Sequence, residues 1–286
     1  MLPFRQLLFP VDFSDSCRAM VPSVLRMAQF YNCPITLLYA FQIPISFYTD
    51  MGPMDFIRPT DIQGNYESQL RKFAAEYFPT SKPSLIVEQG EASAVIHNYV
   101  KHQGTDLIMM PTRGCGPLRR MLMGSVVSKV LHDVSLPVWT TAHNVQDPID
   151  PHWPIRNILC CLSLEEESTS LAQAAGILAN SFNARLTLFH ACGQAQAAID
   201  TDYEHYRRQL LESATQKLQS LRWELKLEAA LLLVEGSAIM NLREQALAIH
   251  ADLVIVGRGH AQEALGRLWS DLYDVIRESP CPVLSI

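Results

Sequence analysis

The chain states one pattern twice, and that repetition limits its folds more than any other feature. Ile35-Thr36-Leu37-Leu38-Tyr39-Ala40 is matched by Leu186-Thr187-Leu188-Phe189-His190-Ala191. Val87-Glu88-Gln89-Gly90 is matched by Leu233-Val234-Glu235-Gly236, and Asp106-Leu107-Ile108 by Asp252-Leu253-Val254. Leu136-Pro137-Val138 returns as Cys281-Pro282-Val283, and the apolar run after Arg5 returns after Arg156. Landmarks kept in one order are more than composition produces, so the chain is two copies of one fold. The copies are expected at residues 1–145 and 152–286, joined by a linker over 144–154 rich in Pro and Asp.

Within the first copy, short apolar runs alternate with helical periodicity. Strands are expected at 7–11, 35–41, 85–88, 107–110 and 137–140. Ser14 or Ser16 can cap a helix carrying Met20, Val24, Leu25 and Met27 on one side; Pro22 is tolerated there only in the first turns. Further helices are expected over 66–77, 93–102 and 126–134. Residues 42–64 show no clear period and read as a long loop, a lid or a partner surface. The order βαβαβαβαβ predicts a parallel sheet covered by helices on both faces, so the fold class is α/β with two tandem five-stranded domains.

The most informative stretch is 106–141. A buried strand is followed by Gly114 and Gly116 among Arg113, Arg119 and Arg120, then by Gly124 and Ser125 at a helix start. Unpaired N–H groups at a helix N-terminus, glycines that admit a close backbone and forked arginine donors together make a seat for phosphates. The plainer reading is a turn with Ser125 as an N-cap and the arginines in solvent. Up to Val145 there are 12 Lys+Arg against 11 Asp+Glu, leaving 11 against 18 of the chain's 23 and 29. The phosphate reading therefore belongs to the first copy.

The net charge of -6 argues against nucleic acid or an anionic membrane as partner. No apolar run is long enough for a membrane span, and no signal peptide is read at the start. Seven cysteines without a CxxC fit reduced thiols and a cytoplasmic setting. Cys115, between cations in the glycine loop, is either a reactive thiol or a small turn residue. His97, His102, His132 and His143 are scattered, and no metal-binding or catalytic spacing is present.

These residues resemble the universal stress protein family in tandem form, over both halves. The resemblance rests on Pro10-Val11-Asp12 at the first strand end, on Gly114 spaced nine residues from Gly124-Ser125, and on a terminal Pro-Val strand. It implies Rossmann-like domains of the adenine nucleotide alpha hydrolase type, strand order three-two-one-four-five, packed as a pseudo-dimer through their last strands. Trp139 either marks that surface or belongs to the core. It also implies ATP, or a related adenine nucleotide, as ligand. Val11 and Ala40 would line the adenine slot, Pro10 is counted with them among the nucleotide-binding residues, and Asp12 would accept hydrogen bonds from base or ribose, or instead cap the helix with Ser14. Gly124 and Gly114 would let the loop close on the phosphates, Ser125 and Val126 would bind phosphate oxygens, and Thr112 and Arg113 are candidates for ribose or phosphate. Mg²⁺ rests on Asp12 alone.

Two departures stand out. Pro111 occupies the place of the family's first glycine, and it has no N–H. In the second copy Ser163 replaces Asp12, and Trp269-Ser270-Asp271 stands where Gly124-Ser125-Val126 stood, so that copy is expected not to bind ATP in the same way. The expected function is a nucleotide-binding stress-response protein with little or no hydrolysis, since no GxxxxGK[ST] loop is present. The alternatives are an interaction module without nucleotide and, ranked low, an adenylyl-transferring enzyme. An unidentified protein partner and a homodimer of tandem chains are further expectations.

Overall fold

The computed structural model describes residues 4–43, 59–112, 123–141, 153–192, 203–258 and 267–286. The chain divides into two compact units: one holds Phe4–Trp139, the other 153–286 with Thr140 and Thr141.

The strands of the first unit are β1 (Leu7–Pro10), β2 (Ile35–Phe41), β3 (Ser84–Gln89), β4 (Leu107–Met110) and β5 (Val138–Thr140), the last residue of which is counted with the other unit. The helices are α1 (Asp15–Tyr31), α2 (Pro59–Tyr77), α3 (Ala92–Gln103) and α4 (Ser125–Asp133). The sheet order is β3-β2-β1-β4-β5. Strands β1 and β2 pair in parallel with Leu7 opposite Ile35, and β1 pairs with β4 with Leu7 opposite Leu107. The central strands are wholly apolar because helices cover both faces: Leu7, Leu8, Phe9, Leu107, Ile108 and Met109 are fully buried. Edge strand β3 is half-buried over Leu85, Ile86 and Val87 and exposed at its ends.

Two expectations need correction. Helix α2 starts at Pro59, so residues 59–64 of the expected loop are helical. Proline suits a first turn, and the helix is held by rings: Tyr66 lies 4.9 Å from Tyr39 and 5.1 Å from Phe41, and Phe73 lies 5.8 Å from Phe13. Residues 44–58 of that loop lie outside the described residues. Second, Pro22 sits beyond the first turn of α1, inside the helix. Its cost, about 3 kcal/mol, is opposed by complete burial of Cys17, Met20 and Val24 around it. Ser14 is the N-cap, its side chain accepting from the Cys17 N–H. Trp139 is buried.

The second unit repeats the plan with β6 (Asn157–Cys161), α5 (Ser168–Phe182), β7 (Arg185–Cys192), α6 (Tyr203–Glu224), β8 (Ala229–Glu235), α7 (Ala238–Ala248), β9 (Leu253–Val256), α8 (Arg267–Glu278) and β10 (Val283–Ser285). Its order, β8-β7-β6-β9-β10, is again three-two-one-four-five. The repetition reaches single backbone angles. Left-handed residues recur at Phe13 (φ 59°) and Leu164 (64°), at Asn32 (50°) and Asn183 (53°), and at Gly104 (66°) and His250 (50°). The Asn pair ends the first helix of each unit, where a left-handed cap is needed.

The matched aspartates have one local reason. Asp106 accepts the Arg5 N–H at 2.9 Å and 3.0 Å and the Gln6 N–H at 3.0 Å. Asp252 accepts the N–H groups of Arg156 (2.8 Å) and Asn157 (3.0 Å). Each carboxylate at the foot of the fourth strand thus ties down the entry to the first. No described helix is long and apolar enough to cross a membrane.

Candidate functional site

In a sheet of this order the connections leave β1 and β4 in opposite directions, which opens a crevice at their carboxyl ends. A cavity of about 240 Å³ lies at that point in the first unit. Pro10, Val11 and Asp12 line it from β1, Ala40 from β2, and Gly124, Ser125 and Val126 from the start of α4. These are sequence-predicted site residues brought together from three parts of the unit. Thr112 is buried and absent from the lining. Arg113, Gly114 and Cys115 lie outside the described residues.

Other walls were not expected. Leu38 and Tyr39 come with β2, Ala92 and Ile96 with α3, and Met110 and Pro111 with the end of β4. Pro111 was singled out only as a departure from the family pattern. Ala92 and Ile96 had one available signal, their place just after Gly90, at the helix start beyond a strand end.

The floor is held from below. Val11 donates its N–H to the Leu38 carbonyl at 2.8 Å. Asp12 is exposed, and its Oδ1 accepts from the Ser14 N–H (3.0 Å) and Ser14 hydroxyl (2.6 Å). Asp12 therefore steadies the cap of α1 and is also one of the residues lining the cavity. Phe13, between them, is left-handed, with its ring 4.8 Å from Tyr39. That strained backbone costs of order 1 kcal/mol and is held by the ring packing.

Two helices begin at the cavity, and their ends differ in charge. The N-terminus of α3 is capped by Glu91, whose carboxylate accepts from Ser93 and the Ala94 N–H (3.1 Å) and meets Lys129 at 3.3 Å. The Ser93 hydroxyl, then the Ala94 N–H and Lys129, hold the Glu91 carboxyl below its ordinary 4.5. The N-terminus of α4 has Gly124 as N-cap, and no side chain among the described residues caps it. It therefore sets the positive end of a helix dipole at the cavity wall, with no capping side chain among the described residues. Gly124 has φ -61° and ψ 139°, which any residue adopts. What glycine supplies there is a missing side chain. Its own N–H is taken, donated to the Thr112 carbonyl at 3.0 Å, which brings residues 112 and 124 together. Gly124→Val is accordingly expected to fold, losing no more than about 1 kcal/mol as a cap, while filling the cavity mouth. Thermal melting and ligand titration of one sample check both halves of that expectation.

The second unit keeps the frame and changes the end groups. Ser163 takes the place of Asp12, its hydroxyl 3.3 Å from the Glu165 N–H and 3.4 Å from Ser168. Helix α8 starts sixteen residues before Val283, whereas α4 starts thirteen before Val138 (283 − 267 against 138 − 125). Residue 269, the counterpart of Gly124, is thus already inside a helix. Arg258 is half-buried where Thr112 stood; burial lowers its guanidinium to about 10, still a cation at neutral pH.

Other titratable groups are structural. The His97 Nδ1–H reaches the Asp133 carbonyl at 2.9 Å, closing the C-terminus of α4. Six described cysteines are free. Burial pushes Cys17 and Cys281 up to about 12 and Cys33 to about 11, so these thiols stay neutral and inert. Among the described residues no three His, Cys, Asp or Glu side chains are grouped to hold a metal ion.

Comparison with known proteins agrees with the duplicated frame. The model of the universal stress protein family matches residues 3–141 and again 154–286. Universal stress protein YxiE of Bacillus subtilis is 21% identical over 144 residues, 47% of this chain and 97% of its own. The crystal structure of a universal stress protein from Archaeoglobus fulgidus is similar over 98% of this chain and 95% of its own, with 16% identity and a TM-score of 0.68. The Pseudomonas aeruginosa protein PA1789 follows with 15% identity, 99% and 92% coverage, and a TM-score of 0.64. At such identities the likeness is one of fold. With both halves matched by one family model, the chain belongs to the universal stress protein family and carries its domain twice.

Proposed function

We propose that the first unit binds an adenine nucleotide, ATP or a close relative, and acts as a nucleotide-dependent binding protein in a stress response rather than as an enzyme. The observation that carries this reading is the 240 Å³ cavity lined together by Val11, Asp12, Ala40 and the start of α4. Val11 and Ala40 offer apolar walls to the base, and Asp12 offers an acceptor to base or ribose. Ser125 and the N–H groups of Ser125 and Val126 offer donors to phosphate. Cavities for small ligands usually run about 300–1,000 Å³; at about 240 Å³ this one takes the nucleoside in this reading, with the phosphates lying outside it, past the start of α4. Arg113 and Gly114 belong to the proposed phosphate loop by sequence. Mg²⁺, if present, would accompany the phosphates near Asp12. No lysine of a phosphate-binding loop adjoins Gly124, which supports little or no hydrolysis.

The second unit takes no ATP in this reading, because its eighth helix passes through the position where α4 begins. Calorimetric titration of the whole chain with ATP and Mg²⁺ is expected to give one site per chain. Two equal sites would contradict the assignment of roles to the units.

One observation favours the other reading, an interaction module without nucleotide. Two backbone donors are missing from the cavity wall, since Pro111 has none and Gly124 donates to Thr112. No ligand released from the purified protein, together with no heat on titration, would select that reading. In either case the output is a surface offered to a protein partner in the cytoplasm, by a chain that forms homodimers.

A further inference from the structure

Helix α7 turns an unusual stripe to solvent. Met240 is 77% exposed and Leu247 52% exposed, with Arg243 and Glu244, both exposed, between them. Spacings of three, four and seven residues put all four on one face. The first unit provides a control. Gly90 and Gly236 align the two copies, and Ile96 of α3 and Leu242 of α7 are buried alike. On α3 the positions matching the stripe are Ala94, His97, Asn98 and Lys101. The fold thus does not require a large apolar side chain at 240 or 247, and both stand exposed two turns apart on one face.

The stripe is complementary to itself. If two α7 helices cross antiparallel about a two-fold axis midway between 243 and 244, Met240 meets Leu247 of the second copy. Arg243 then meets Glu244 of the second copy, and both contacts occur twice. Within its own chain Arg243 also pairs with Glu278 at 3.5 Å, at the end of α8. We propose that two copies of this chain associate through α7 in this isologous way. Eleven helical residues span only about 16 Å, so the contact is small and the dimer concentration-dependent.

Sedimentation equilibrium of the full chain, from micromolar to sub-millimolar protein, tests it. The mass is expected to climb from 32.1 kDa toward twice that value. L247K is expected to weaken association by about tenfold or more, and E244R and R243E each likewise, because each charge variant sets like charges across the axis. An equimolar mixture of E244R and R243E chains restores opposite charges at both crossings and is expected to recover association. All three positions are exposed, so circular dichroism melts should match the parent; M240K repeats the apolar test if L247K does not fold. A mass of one chain at every concentration overturns the proposal. So does a dimer indifferent to L247K, or a mixture that stays apart. None of these readings involves nucleotide.

Discussion

A Ser125→Glu chain is expected to bind ATP about a hundredfold more weakly than its parent while melting no earlier. The two effects have one cause with opposite signs. Ser125 is the first residue of α4, exposed, beside a cap with no side-chain hydrogen bond among the described residues. A carboxylate there meets the positive end of the helix, a stabilising contact of about 0.3–1 kcal/mol. The same carboxylate would stand where the phosphates are proposed to lie. Like charges about 4 Å apart near a protein surface repel by up to about 4 kcal/mol, and about 2.7 kcal/mol is a hundredfold. Calorimetric titration and thermal melting of the one variant read both effects. If affinity is unchanged, phosphate does not rest at this helix end. If affinity and stability fall together, the variant has disturbed the fold and says nothing special about the seat.

The second large effect concerns the frame. Asp106→Ala is expected to lower the stability of the first unit by about 2–3 kcal/mol, a shift of roughly 5–10 °C in melting temperature. The variant leaves the Arg5 and Gln6 N–H groups without their carboxylate at the entry to β1. Hydrogen bonds to a charged group contribute about 1.5–3 kcal/mol each, and partial exposure of the Asp106 side chain, at 25%, lets water recover some of that. Asp106→Asn keeps an acceptor and should fall between. Asp252→Ala removes two such bonds from the second unit and should act in the same direction. An alanine variant melting with the parent would mean that water replaces the carboxylate fully, and the matched aspartates would then need another reason.

The duplicated aspartates show what kind of information was legible. Strands such as 107–110 and helices such as α3 announce themselves by periodicity, and Gly90 and Gly104 punctuate them; these are local signals, set by sterics and burial. The repeat itself was visible in matched strands and in turns such as Gly90 and Gly236, and the structure extends it to Asn32 and Asn183 at equivalent left-handed caps. The reason for Asp106 was not visible, since its partners Arg5 and Gln6 lie about a hundred residues away and are reached only through the β1–β4 pairing.

Helix α2 illustrates the opposite failure. Its first turns, with Pro59 and Gly64, read as loop by propensity. Helical structure is nevertheless adopted, because Tyr66 and Phe73 further along pack on Tyr39 and Phe13. Tertiary packing overrode a weak local preference. The site divides along the same line. Val11, Asp12 and Ala40, named through the family resemblance, and Gly124 and Ser125, marked also by their place at a helix start, all line the cavity. Ile96 and Met110 were not expected there, because an apolar residue on a helix or strand carries no sign of which void it will face.

By itself the sequence determined two copies of a five-stranded α/β unit, the order of their elements and the asymmetry of their charge, since each follows from alternation and counting along the chain. Only the tertiary structure decided that the carboxyl ends of β1, β2 and β4 enclose a cavity. It alone decided that the Gly124 N–H is already committed to Thr112, and that α8 begins a turn too early to repeat α4. It alone left Met240 and Leu247 in solvent. The physical reason is reach: periodicity acts between neighbours in sequence, whereas cavities, hydrogen-bond partners and exposed faces are set by parallel pairing of strands far apart in it.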